Sequence, residues 1–239
     1  MSDDIIGTAL LDFFYDKDPE NIRTYSSLEE EDELPIAYLF RDAKEMPILE
    51  KKALKLCYGR ILDIGCGSGS HSLYLQKRGM EVTALDSSLG AIEVCKARGI
   101  ENVICKSILD YSGPKFDTLL LLMNGIGLAN NMNGLGSFLN HLKSLLTDEG
   151  QILLDSSDII YMFEQDDDGG FWVPNTGDYY GEVVFTMSYK GKTSKSFPWL
   201  YIDYNSLNEI ASLFGLNCEL LAKGEHYDYL ARLSLKDTI

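Results

Sequence analysis

Short apolar runs alternate with amphipathic stretches through the middle of the chain, and this alternation constrains the fold more than any other feature. The predicted strands are residues 61–64, 82–85, 103–105, 116–123 and 151–154, and the predicted helices between them are 71–78, 89–98 and 135–146. Alternation of this kind produces a parallel sheet with helices on both faces. A capping-box helix at 207–214 and two closing strands near 218–222 and 229–235 follow. The sequence therefore predicts a doubly wound α/β domain.

A glycine-rich segment lies between the first of these strands and its helix. It reads Leu62-Asp63-Ile64-Gly65-Cys66-Gly67-Ser68-Gly69-Ser70-His71. Glycines there allow a tight turn and a close approach to a ligand, and the free N–H groups at a helix start favour an anionic or polar group. The next strand ends in Asp86, a residue type that accepts hydrogen bonds from ribose hydroxyls at this position in α/β folds.

The glycine spacing separates two classes of ligand. Dinucleotide folds use G-x-G-x-x-G, whereas this segment has G-x-G-x-G, and Ser70 occupies the last dinucleotide position. Asp63 would repel a pyrophosphate but would suit a cofactor that carries an ammonium group. The pattern speaks against a nicotinamide-dependent oxidoreductase, which stays open as an alternative.

With these residues the segment resembles motif I of class I S-adenosylmethionine-dependent methyltransferases, and Asp86 resembles their ribose-binding acid. The similarity extends over residues 58–155 and 204–235. It implies an α/β fold with a doubly wound, mostly parallel seven-stranded sheet in the order 3-2-1-4-5-7-6, the last strand antiparallel. It also implies S-adenosyl-L-methionine as cofactor and S-adenosyl-L-homocysteine as product.

The resemblance also implies the cofactor-binding residues. Gly65, Gly67, Ser68 and Gly69 would surround the methionine part beside Asp63, with His71 tied to the same loop, and Asp86 with Ser87 would hold the ribose. The adenine acid of many relatives is replaced by Ser107, followed by Ile108, whose N–H could serve; Asp110 is an alternative. Met123 and Asn124 would lie below the transferable methyl group. Arg41 is either a partner of the cofactor carboxylate or a surface arginine.

Acceptor residues are sought at the carboxyl edge of the sheet, where ligands of open α/β folds bind. His226 is the preferred general base, although a base is needed only if the acceptor loses a proton, and a surface turn histidine is the alternative. The segment 155–158 also qualifies. Tyr38, Asp158, Tyr161 and Tyr227 are the predicted substrate contacts.

The chain is divided into an N-terminal helical cap segment, residues 1–57, and a methyltransferase domain, residues 58–239. The acidic run at 29–33 is interpreted as a solvated linker. Residues 156–203 form an insertion with a predicted β-hairpin around Lys190-Gly191-Lys192, rich in aromatic residues. This insertion would be a substrate cap or a dimer contact, so a homodimer is possible.

The formal net charge of −16 argues against nucleic acid and an anionic membrane surface as partners, and a small-molecule substrate is expected. Five scattered cysteines and an acidic N-terminus favour a cytoplasmic protein, and the isolated histidines predict no metal site. The leading hypothesis is methyl transfer to a small molecule. A catalytically silent cofactor-binding regulator is the alternative from another class.

Overall fold

The computed structural model describes residues 4–28, 30–166, 168–173 and 178–236, and these form seven α-helices, two large sheets and a two-stranded sheet of β8 and β9. The helices are α1 (Ile5–Phe14), α2 (Ile36–Leu39), α3 (Ile48–Leu56), α4 (Ser70–Lys77), α5 (Leu89–Ala97), α6 (Met132–Ser144) and α7 (Tyr204–Leu213). The strands are β1 (Ile22–Ser26), β2 (Glu31–Leu34), β3 (Arg60–Ile64), β4 (Glu81–Asp86), β5 (Asn102–Cys105), β6 (Phe116–Leu121), β7 (Leu146–Ser157), β8 (Glu164–Gln165), β9 (Phe171–Trp172), β10 (Glu182–Tyr189), β11 (Lys192–Thr193), β12 (Phe197–Leu200), β13 (Leu216–Lys223) and β14 (Asp228–Leu235).

The large sheet has seven strands in the order β5-β4-β3-β6-β7-β14-β13. Strands β3 to β7 run parallel, and β14 is antiparallel to both β7 and β13. In the numbering of the methyltransferase sheet this order is 3-2-1-4-5-7-6. The predicted fold class and the reversed last strand are therefore confirmed.

Both faces of the large sheet are covered by apolar side chains, which is why its central strands are almost uniformly hydrophobic. On one face, Leu119 and Leu121 pack in a cluster with Phe138 of α6 and Leu207 of α7. On the other face, Leu120 packs with the side chains of α3 and α4. Each fully buried leucine contributes about 1.5–3 kcal/mol to folding. The helices thus fix the sheet and the positions of the loops at its edges.

The second sheet, called the roof sheet here, consists of β1, β2, β10, β11 and β12. Strand β10 pairs antiparallel with β1 on one edge and with β11 and β12 on the other. The predicted hairpin is present, and its turn residues Lys190 and Gly191 have φ of 46° and 75°. Positive φ at both turn positions is typical of the tight hairpin turns that match strand twist.

The prediction of an N-terminal helical cap segment with a linker at 29–33 is corrected by this sheet. Residues 31–34 are strand β2, and β1 precedes it. The acidic side chains of β2 are exposed, as expected, but they lie on an edge strand, where charges prevent further strand pairing. Strand β2 could not be recognised from the sequence, because its acidic residues lack the apolar alternation that is typical of a strand.

Helix α1 connects the N-terminal segment to the large domain. A Cβ at Gly90 of α5 would lie 2.5 Å from the Gly7 carbonyl oxygen, so the two glycines let α1 and α5 approach closely. Asp4 accepts hydrogen bonds from Ser88 Oγ at 2.8 Å and from the Gly90 N–H at 3.1 Å. The N-terminal segment is thereby anchored beside the end of β4. In the described part of the chain, the model contains no helix with the length and apolar character needed to cross a membrane.

Candidate active site

A cavity of about 1170 Å³ lies between the carboxyl edge of the large sheet and the inner face of the roof sheet. Its volume slightly exceeds the usual range of small-molecule sites. Side chains from the N-terminal segment close one side. The lining of the cavity includes Asp4, Arg41, Asp63, Gly65, Cys66, Ser68, His71, Asp86, Ser87, Met123, Leu128, Tyr161, Val183, Phe185, Met187, Phe197, Trp199 and Tyr201.

The cofactor loop, residues 65–69, turns at the carboxyl end of β3. Its three glycines have φ of +72°, +52° and +82°, which non-glycine residues rarely adopt. A Cβ at Gly67 would meet no atom within 4 Å, whereas one at Gly69 would lie 2.2 Å from Ile100 Cδ1. Gly65 and Gly67 thus leave room for a ligand. Gly69 permits packing against Ile100, and its contact with the cofactor stays a prediction.

Asp86 lies at the end of β4 beside this loop. Its Oδ2 accepts a hydrogen bond from the Gly67 N–H at 2.9 Å, and its Oδ1 accepts one from the Ser88 N–H at 2.8 Å. Burial raises the pKa of this carboxyl, although the two backbone donors favour the ionised form. With Ser87 it lines the cavity. The carboxylate is fixed in place and keeps lone pairs for further donors. Its contact with the ribose hydroxyls stays a prediction.

Asp63 is fully enclosed at the end of β3, with 2% of its surface exposed. Its Oδ2 accepts a hydrogen bond from Ser72 Oγ at 2.6 Å. Burial raises its pKa, and His71 and Ser72 counter that effect. A buried carboxylate at the cavity wall suits an ammonium group, so these residues fit S-adenosylmethionine.

Arg41, Glu50 and His71 form a buried ionic cluster beside the cofactor loop, and this cluster excludes the surface-arginine interpretation of Arg41. Arg41 Nη2 and Nε donate to Glu50 Oε1 and Oε2 at 2.6 and 3.2 Å, and His71 Nε2 lies 3.0 Å from Glu50 Oε2. Arg41 also stacks on the Tyr38 ring, 4.0 Å from its centroid. Tyr38 itself does not line the cavity. Glu50 was missed by the sequence reasoning; its only signal is its position three residues before Ala53 on the buried side of α3.

Ser68 connects the cofactor loop to the N-terminal segment. Its hydroxyl and that of Ser70 both donate to the Leu39 carbonyl oxygen at the end of α2. Arg98 Nη1 donates to the Ser68 carbonyl oxygen at 2.7 Å. Ser68 is therefore a docking point for α2 as well as a wall of the cavity.

Met123 and Asn124 form a strained turn after β6, with φ of 61° and 57°. Both of their N–H groups donate to the Asp155 carboxylate, at 3.2 and 2.7 Å. The Asn124 side chain donates to the Leu200 carbonyl oxygen and accepts from Ser156 Oγ. Met123 lines the cavity and forms its floor. The Asn124 side chain supports this floor and attaches it to the end of β12.

Stability is expected to respond to pH through Asp155, which is half-buried. Burial raises its pKa to about 6, although the Asn124 and Met123 N–H groups favour the carboxylate. The folded state therefore holds this proton more tightly than the unfolded state. That contribution to stability is full below the ordinary value of 3.8 and is lost as pH rises through about 6. It amounts to roughly 3 kcal/mol.

Urea unfolding of the wild type and of Asp155→Asn between pH 4 and 7.5 tests this effect. The variant cannot ionise at this position, so the free energy of unfolding of the wild type minus that of the variant should fall with rising pH. A difference that stays constant across the range would show that Asp155 is not the responsible group.

The predicted adenine contacts lie at the same sheet edge, outside the lining of the cavity. Ser107 Oγ accepts from the Leu109 N–H, and the Ile108 carbonyl oxygen is 2.7 Å from His141 Nε2. Asp110 is exposed. In this arrangement Ser107 and Ile108 stabilise the turn after β5, and the adenine contact stays a prediction.

The structure does not bring His226 to the cavity. It lies exposed in the turn before β14, and its N–H donates to Asp228 Oδ1. Tyr227 is also exposed, although its ring stacks on Tyr161, 5.3 Å between centroids. Asp158 caps the following turn and accepts from the Tyr180 hydroxyl at 2.7 Å. Of the predicted acceptor residues only Tyr161 lines the cavity, because the turn at 224–227 lies outside it.

An aromatic surface of the roof sheet faces the cavity. Val183, Phe185 and Met187 of β10 share this face, as their alternation predicts, and Phe197 and Trp199 of β12 continue it. Tyr201 follows. The Trp199 indole packs so closely on Gly127 that a Cβ there would lie 2.1 Å from the ring. Other aromatic residues of the insertion do not line the cavity: Phe171, Trp172, Tyr179 and Tyr180.

Comparison with known proteins agrees with this geometry. A family described as a methyltransferase domain matches residues 61–150. A methyltransferase structure from Bacteroides fragilis, solved in complex with S-adenosyl-L-homocysteine, is 43% identical with a TM-score of 0.90. The alignment covers 98% of this chain and 95% of that one.

Two curated relatives match over shorter stretches. A ubiquinone biosynthesis O-methyltransferase of Alkalilimnicola ehrlichii is 32% identical over 71 residues, 26% of this chain and 29% of that protein. A 23S rRNA (uracil(747)-C(5))-methyltransferase of Pyrococcus horikoshii is 36% identical over 63 residues, 26% of this chain and 15% of that protein. The chain thus spans less than a third of either relative, and the two act on different classes of acceptor.

The full-length similarity, the cofactor loop and Asp86 agree on one cofactor, S-adenosylmethionine, and leave no support for the nicotinamide alternative. The chain belongs to the class I S-adenosylmethionine-dependent methyltransferases.

Proposed function

We propose that this methyltransferase acts on a small organic acceptor that binds in the cavity beneath the roof sheet. One observation carries the proposal: the cavity continues from the cofactor loop to the aromatic face formed by Phe185, Phe197 and Trp199. Apolar and aromatic walls with a few polar groups are typical of small-molecule sites. The insertion thus acts as a cap of the acceptor site, and we do not assign it to a dimer contact.

The chemistry demands little of the protein besides positioning. S-adenosylmethionine supplies an activated methyl group on its sulfonium. Asp86 and Asp63 hold the cofactor, Met123 forms the floor, and the roof sheet excludes water and orients the acceptor for in-line attack. The Asp155 carboxylate already accepts hydrogen bonds from two backbone N–H groups. His71 is already hydrogen-bonded to Glu50. We therefore expect an acceptor that attacks without a protein base.

The charge of the chain favours a small acceptor over nucleic acid. The formal net charge is −16, and binding of a phosphate backbone needs clustered lysine and arginine. Among the described residues that line the cavity, Arg41 is the single arginine and no lysine accompanies it. A small organic acceptor fits these features.

Transfer of a labelled methyl group tests the proposal. The full chain is incubated with methyl-labelled S-adenosylmethionine and, separately, with a metabolite extract, total RNA and a protein fraction. We expect label in a low-molecular-mass product and formation of S-adenosylhomocysteine. Label in RNA or protein alone would contradict the proposal. Cofactor binding without transfer to any fraction would favour the silent regulator.

A further inference from the structure

The ionic cluster of Arg41, Glu50 and His71 joins the N-terminal segment to the cofactor loop. The three residues come from the turn after α2, from α3 and from the start of α4. Their exposed fractions are 4%, 3% and 8%, so the three side chains are almost completely removed from water. Burial alone would raise the pKa of Glu50, but His71 and Arg41 outweigh it and lower that pKa. Glu50 is thus held as a carboxylate.

Arg41 keeps donors for a further partner. A guanidinium has five N–H groups. Two donate to Glu50, and one donates from Nη1 to the Tyr38 carbonyl oxygen at 2.7 Å. Among the described residues, the other two N–H groups of Arg41 have no acceptor. Arg41 also lines the cavity. A buried arginine with unused donors is suited to a carboxylate.

The cluster also limits where these donors can point. Glu50 fixes the guanidinium through two parallel bonds, and the Tyr38 ring covers one of its faces. The same carboxylate orients the His71 ring. Arg41 and His71 lie on the cavity wall with Asp63 and Gly65, where the methionine end of the cofactor is expected.

We propose that Glu50 is a positioning residue of the cofactor site, which presets Arg41 and His71 to receive the carboxylate-bearing end of S-adenosylmethionine. Glu50 does not touch the cofactor. It holds Arg41 in the orientation that directs the unused N–H groups to the cofactor carboxylate, and it keeps the buried arginine paired before the cofactor binds. The inference concerns the cofactor half of the cavity and does not depend on the identity of the acceptor.

The test compares two ligands, of which only one carries the amino-acid end of the cofactor. S-adenosylhomocysteine carries the amino-acid end, and 5′-methylthioadenosine lacks it. Calorimetry gives both dissociation constants for the wild type and for Glu50→Gln. We expect S-adenosylhomocysteine to bind about tenfold more weakly to the variant, as for a lost charge-assisted hydrogen bond. Binding of 5′-methylthioadenosine should stay within about twofold.

Glu45→Gln is the matched control, because Glu45 is exposed on the turn between Arg41 and α3 and makes the same change of charge outside the cavity. Glu50→Asp is a second variant, which keeps the charge, should Glu50→Gln fail to fold; its shorter side chain should also weaken S-adenosylhomocysteine selectively. Equal weakening of both ligands in the folded variants would mean a purely structural role and would overturn the proposal. Unchanged binding of S-adenosylhomocysteine would overturn it as well.

Discussion

Replacing Asp86 by alanine is expected to weaken binding of S-adenosylhomocysteine about 10- to 150-fold, or about 1.5–3 kcal/mol. The carboxylate is held by the N–H groups of Gly67 and Ser88, so it meets the ribose hydroxyls without rearrangement. Its removal costs the ribose contacts and also leaves the Gly67 N–H without its acceptor. Titration calorimetry of the two proteins measures the change.

Asp148→Ala is the control for this experiment. Asp148 is exposed near the start of β7, far along the strand from the carboxyl edge, so its loss changes the net charge without touching the cavity. The control should bind with wild-type affinity. Melting curves must show that Asp86→Ala is folded. A folded variant with undiminished affinity would remove Asp86 from the cofactor site.

Trp199→Ala is expected to lower kcat/KM for the acceptor by about 10- to 100-fold, because a loosely placed acceptor loses the alignment needed for in-line attack. The indole lines the cavity and is held in place by contact with Gly127. Its strand belongs to the roof sheet, whereas Asp63 and Asp86 end strands of the large sheet. Affinity for S-adenosylhomocysteine should therefore change by less than about twofold.

The other tryptophan of the chain provides the matched control. Trp172 is 66% exposed in β9 and does not line the cavity. Trp172→Ala should retain both cofactor affinity and turnover. If the Trp199 variant kept full turnover, the roof sheet would not cap the acceptor site. If it lost cofactor affinity instead, the roof sheet would belong to the cofactor half.

The large sheet could be predicted from sequence because its determinants are local. Runs such as Ile61–Ile64 and Phe116–Leu121 are buried on both faces, and each intervening helix carries its own apolar side and stop signal. The roof sheet could be predicted only in part. The β10 alternation was visible, but its partner β1 lies about 160 residues earlier. Strand β1 pairs in turn with β2, whose exposed charges conceal the strand period.

The residues of the site also divide into those with local sequence determinants and those whose contacts are distant in the chain. Asp63, Gly65, Gly67 and Asp86 belong to one short motif and its neighbouring strand, and the structure brings them together. Glu50 was assigned no role, because its contacts are with Arg41 and His71, which are distant in the chain. Asp155 was considered only within the segment 155–158 as a candidate base, and its contact with the Met123 turn was not predicted. Gly69 belongs to the same motif, and the structure adds a packing reason for glycine there, the nearby Ile100 side chain.

A crystal structure of the chain with S-adenosylhomocysteine tests the central claim most directly. We expect the ribose hydroxyls to bind Asp86 and the amino-acid end to lie between Asp63 and Arg41. We also expect the sulfur atom to face the space below Trp199 and Phe197. A ligand bound elsewhere, or one whose sulfur is separated from the roof sheet by protein, would contradict it.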